Sequence, residues 1–182
     1  MKRFLVSALA ISSLLNLRPE AADYSGISQS LRLLCVSLSA QKANAYSFII
    51  QKYANKYGLP WKIMATIFKQ ESECGKYLRN GCEKGYAKVN GEWQLVESCQ
   101  DFGMVHFNRR MVQEYKLNID KLDTDADYAL GWMAKHLYRI YKSNKDDIIW
   151  YCRYNSNTKE KKYEYCGHIH RHMEVLKVGG VK

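Results

Sequence analysis

Six cysteines, at positions 35, 74, 82, 99, 152 and 166, are spread over most of this 182-residue chain. If they pair, they staple segments that lie far apart, and that limits the folds open to the sequence. No two stand in the C-x-x-C spacing of a compact metal site, so the even count reads as disulfides. Cys152 and Cys166 flank a single segment and are the leading pair; the bridge closes a 15-residue loop, worth about 3 kcal/mol in lost unfolded-chain entropy. Cys82 and Cys99 flank "GYAKVNGEWQLV", which reads as a β-hairpin with Asn90-Gly91 as its two-residue turn. Their pairing competes with Cys74, which is open to either partner.

Disulfides require an oxidising compartment, and the first residues agree. "MKRFLVSALAISSLLNLRPEAADYS" opens with Lys2 and Arg3 and continues in an apolar run from Phe4 to Leu17. That run is short for a membrane span and predicts an export signal over residues 1–22, with a mature domain at 23–182 in a bacterial periplasm. Glu20 occupies a position that prefers a small side chain, so an uncleaved anchor is the alternative. "RLLC" lacks the small residues of a lipoprotein site. The formal net charge is +10, and residues 1–22 carry two of those charges. A polyanion is the partner this balance suits. The basic residues are scattered, no nucleic-acid recognition motif is present, and export removes the chain from nucleic acid.

With 47 % apolar residues, 13 % aromatics and only two prolines, the chain is neither disordered nor a string of linkers. Its periodicity is mostly helical. Residues 39–58 place Ala45, Ile49 and Ala54 at helical spacing and stop at Gly58, after which Pro60 opens the next helix. Residues 124–143 repeat apolar positions at Ala126, Leu130, Met133, Leu137, Ile140 and Tyr141, with Thr124 or Asp125 as cap. "KDDIIWYCRYN" and "GHIHRHMEVLK" predict two further short helices. The fold class is mainly α (α+β), with a small β-hairpin.

"LPWKIMATIFKQESECGKY", residues 59–77, reads as an amphipathic helix. At about 100° per residue, Trp61, Ile63, Met64, Ile67 and Phe68 form one arc, and Glu71 falls inside it. Glu73 faces the other side with Lys62, Lys69 and Gln70. Burial and the negative end of the helix dipole both favour the protonated form of Glu71. A carboxyl group still protonated near neutral pH is what a general acid needs. The competing reading is a structural glutamate bonded within the core.

"IFKQES" is followed by "DFGMVHFN" and later by "CRYNSNTKEKKYEYC". This order resembles the lytic transglycosylases of the lysozyme-like superfamily, especially the small ones that accompany conjugation and secretion machineries. The resemblance spans residues 45–176. It implies a lysozyme-like helical domain with Glu71 as the catalytic acid and then base. It also implies a glycan cleft contacted by Ser72, Gly103, Val105, His106, Asn108, Tyr154, Asn155 and Tyr165. The chain departs from the family at Val105-His106, where the family has Met-Gln, and at Asn157, where it has glycine. In the family one carboxylate suffices: the sugar's acetamido group stabilises the oxocarbenium, and the acid then takes the C6 hydroxyl proton, leaving a 1,6-anhydromuramyl end.

The expected partners are peptidoglycan strands and components of an envelope machine, with no cofactor and no nucleic acid. The "HIHRH" run (His168, His170, His172) has no partner at the spacing of a known zinc site, so no metal is expected. The alternatives are a goose-type hydrolytic lysozyme, which needs a second acid, and a non-catalytic glycan-binding assembly factor.

Overall fold

A computed structural model describes residues 24–155 and 158–179. The expected export signal and Asn157 lie outside these residues. The helical periodicity is realised in α1 (Tyr24–Leu34), α2 (Ala40–Tyr57), α3 (Trp61–Ser72), α4 (Arg109–Glu114), α5 (Ile119–Thr124), α6 (Ala126–Ser143) and α7 (Lys159–Val178). Five short strands, β1 (Arg79–Asn80), β2 (Glu83–Val89), β3 (Glu92–Ser98), β4 (Asp101–Phe102) and β5 (Phe107–Asn108), lie between α3 and α4. The protein is mainly helical with small antiparallel sheets. No helix among the described residues is long and apolar enough to cross a membrane.

Local chemistry sets the helix ends. Ser39 accepts from the Lys42 N–H at the start of α2, and Gly58 closes it in the left-handed conformation at φ 62°. Asp125, rather than Thr124, caps α6 by accepting from the Tyr128 N–H. α3 packs against α1, α2 and α7, and its Ile63, Met64, Ile67 and Phe68 are buried at the centre of the core. It ends at Ser72, just after Glu71, because Glu73 and Cys74 both turn left-handed and reverse the chain.

All six cysteines are paired, as Cys35–Cys74, Cys82–Cys99 and Cys152–Cys166. Cys74 therefore competes for neither of the other bridges; it ties the turn after α3 to the end of α1. These bridges fit an oxidising compartment outside the cytoplasm.

β2 and β3 form the expected hairpin, with Val89 opposite Glu92 and Asn90-Gly91 at the tip, both with positive φ. A second, three-stranded sheet in the order β1-β4-β5 joins residues 79–80, 101–102 and 107–108. Its strands are too short to show a period of two in the sequence. The chain near residue 150 also differs from expectation. Asp147 accepts from the Ile149 N–H, an Asx-type turn that breaks the predicted helix. Only a 3₁₀ turn, Trp150–Arg153, remains. In contrast, α7 is one long helix rather than a short one, and it begins at Lys159 in a polar stretch without an apolar stripe.

Candidate active site

Glu71 sits in the last turn of α3 and is 7 % exposed. The Tyr165 hydroxyl, from α7, donates to its Oε1 at 2.5 Å. The Asn155 amide reaches Oε1 and Oε2 at 3.4 and 3.3 Å. Burial pushes the Glu71 carboxyl up to about 7; the Tyr165 and Asn155 hydrogen bonds pull it down, and the Asp101 carboxylate adds to the rise. Tyr165 is itself buried, which holds its phenol well above the ordinary value and keeps it a donor. Asn155 is exposed, so one side of the carboxyl faces a residue open to solvent.

The surrounding chain is arranged to present these groups. Cys152–Cys166 ties the 3₁₀ turn to α7, one residue from Tyr165 and three from Asn155. The bridge therefore fixes both partners of Glu71 relative to each other. Ser72 donates to the Met104 carbonyl and accepts from the Gly75 N–H at 2.8 Å, binding the 101–108 segment to the end of α3. The Tyr154 hydroxyl donates to the Val105 carbonyl at 2.9 Å, binding the same segment from the other side. Gly103 has φ +79°, and a Cβ there would fall 2.5 Å from the Leu122 Cβ.

These contacts divide the expected glycan-contacting set into two groups. Ser72, Val105, Tyr154 and Tyr165 are buried and hydrogen-bonded internally, and Gly103 serves a close approach of backbone to α5. They shape the site from within, and Tyr154 also edges the open space beside Asn155. Asn155, Asn108 and His106 do reach open space. Together with Asp101 they line a small recess of about 40 Å³. Asn108 also caps α4, its Oδ1 accepting from the Met111 N–H at 2.9 Å. His106 is half-buried with φ 47°, and its Nε2 lies 3.0 Å from the Tyr77 carbonyl. That geometry makes Nε2 a donor. Burial lowers the His106 pKa, against the Tyr77 carbonyl, which raises it.

Next to the recess runs a larger groove of about 460 Å³, sharing Asn108, Tyr154 and Asn155 with it. Its other wall includes His136, Arg110 and Arg139. The sequence reading missed this wall. The available signal was His136, which borders the apolar stripe of α6 on the side of Ile140.

Two other acids and the histidine run have neighbours of their own. Glu73 pairs with Lys69 at 3.0 Å and Lys76 at 3.2 Å, which hold its carboxyl below the usual range. Asp101 accepts from the Asn80 amide at 3.1 Å. His168, His170 and His172 each face a different neighbour: Arg171, Tyr151 and Gln70. Comparison of the chain with family models, with curated proteins and with solved structures returns no match.

Proposed function

We propose that this protein is a peptidoglycan lytic transglycosylase with a lysozyme-like fold. It cleaves the β-1,4 bond between N-acetylmuramic acid and N-acetylglucosamine and leaves a 1,6-anhydromuramyl end. One observation carries this reading. Glu71 is buried, held near pKa 7, and gripped by Tyr165 and Asn155 beside an open groove. A group with that pKa is protonated often enough to donate to a glycosidic oxygen and basic enough to take a proton back. Transglycosylation asks both of one residue.

In this mechanism Glu71 protonates the leaving oxygen as the C1–O bond breaks, and the resulting oxocarbenium is stabilised by the acetamido group of the same sugar. The Glu71 carboxylate then removes the C6 hydroxyl proton as O6 closes on C1. Asn155 steadies the carboxyl in both states, and Tyr165, which stays protonated, supports the anionic interval. In the oxidising compartment of a bacterial envelope, such an activity opens the wall locally for a secretion or conjugation machine.

Asp101 favours a second reading. Its carboxylate is close enough to Glu71 to raise the latter's pKa, and a second acid is what a hydrolytic lysozyme requires. Digestion of purified sacculi followed by mass spectrometry separates the two. The transglycosylase releases 1,6-anhydromuropeptides, and Glu71→Gln lowers turnover by about 10²–10⁴-fold. Reducing ends alone would assign the hydrolase. Glycan binding without turnover in the wild type would assign an assembly factor.

A further inference from the structure

The groove beside Asn155 is cationic. Arg110, Arg139 and Arg153 line it against a single acid, Glu114. Arg153 is already engaged by Asp147 at 3.1 Å. Arg110 and Arg139 form no ion pair among the described residues. Arg139 lies over the Tyr115 ring at 4.5 Å, which holds its guanidinium at the groove wall. The groove wall also includes His136, whose Nδ1 is buried without a partner among the described residues. Neutral hexosamine units offer hydroxyls and amides and have no use for two guanidinium groups that lack an acidic partner. Carboxylates do, because the planar fork of arginine matches them.

The geometry points to Arg110 and Arg139 as specificity residues that read carboxylate groups carried by the substrate. The preferred substrate is then an acidic, peptide-bearing glycan strand rather than a neutral, chitin-like one. This inference rests on the glycan-cleaving reading above and names which form of glycan the groove selects. The two arginines act as positioning groups: they draw an anionic branch into the groove, so that the adjoining glycosidic bond meets Glu71 at the other side of Asn155.

The test measures binding in a Glu71→Gln background, so that strands are not cut. The probes are peptide-bearing glycan strands from sacculi and an uncharged N-acetylglucosamine oligomer of matched length. The background protein should bind the peptide-bearing strand at least about tenfold more tightly, the worth of one charge-assisted hydrogen bond. Adding Arg110→Gln and Arg139→Gln should reduce that preference to roughly twofold or less while affinity for the neutral oligomer stays unchanged. A matched loss of two charges elsewhere, Arg32→Gln with Lys42→Gln on α1 and α2, should leave the preference intact. Circular dichroism and thermal melts confirm that each variant is folded. A preference that survives in the groove variant, or that falls equally in the matched variant, overturns the inference. Equal binding of both probes by the background protein removes the inference and keeps the glycan reading. Binding of neither probe removes both.

Discussion

Glu71→Gln separates the physical state of the acid from its chemistry, because the substitution can be followed by stability alone. The carboxyl titrates near 4.5 in the unfolded chain and near 7 in the folded one. Between those values the folded protein holds a proton that the unfolded chain has released. Wild-type stability therefore falls as pH rises through that window, and below it the residue is neutral in both states. Each pH unit of separation corresponds to 1.36 kcal/mol, which gives a ceiling of about 3 kcal/mol above pH 7. Glutamine keeps the shape, still accepts from Tyr165, and never ionises. The variant should match the wild type near pH 4 and exceed it by up to about 3 kcal/mol at pH 8. For a chain of this size the melting temperature should rise by about 6–12 °C at the higher pH. Paired urea or thermal denaturation of both proteins at pH 4, 6 and 8 measures the difference, in which every other titrating group cancels. A gain that is the same at all three values, or absent, would refute the claim that burial holds the acid protonated.

Three further outcomes follow from the same geometry. Tyr165→Phe removes the hydrogen bond that lowers the Glu71 pKa; the alkaline limb of the kcat/KM profile on soluble glycan strands should therefore move to higher pH. Cys152→Ser with Cys166→Ser should cost about 2–5 kcal/mol in denaturant unfolding and lower turnover more than it weakens glycan binding, because Asn155 and Tyr165 lose their common anchor. His136→Phe keeps the edge contacts with Phe107 and Tyr154 and removes the orphaned Nδ1. It should stabilise the protein by about 1 kcal/mol in urea unfolding.

How far the sequence reveals this arrangement depends on the range of the interactions involved. Glu71 is legible because a single helix sets its direction, and three turns of apolar neighbours define the face it interrupts. The β2–β3 hairpin is legible because Asn90-Gly91 accepts positive φ at both turn positions. Cysteine spacing pointed to Cys152–Cys166, yet it left Cys74 without an assigned partner, since Cys35 lies 39 residues away and nothing local links them. The first half of α7 is hidden because its residues are polar and its stability comes from docking on α1, α3 and the 3₁₀ turn. The inward roles of Tyr154 and Ser72 are invisible for a similar reason. Their partners are the backbone carbonyls of Val105 and Met104, and any residue type supplies a carbonyl. The arginine groove escapes notice because Arg110 and Arg139 belong to separate helices and look, one at a time, like ordinary surface charges.

The β2–β3 hairpin has its base at Cys82–Cys99, where the two Cα atoms are 3.9 Å apart. That is about the spacing of consecutive residues in any chain. Topologically the hairpin is a side branch whose two ends meet, and the main path could pass from 82 to 99 as if nothing stood between them. Its strands are exposed along most of their length, including Tyr86, Trp93 and Leu95. Residues 83–98 are thus a module that can be shortened, exchanged or decorated without repacking the core around Glu71. Selection can change what that branch touches at one rate, and the acid's surroundings at another.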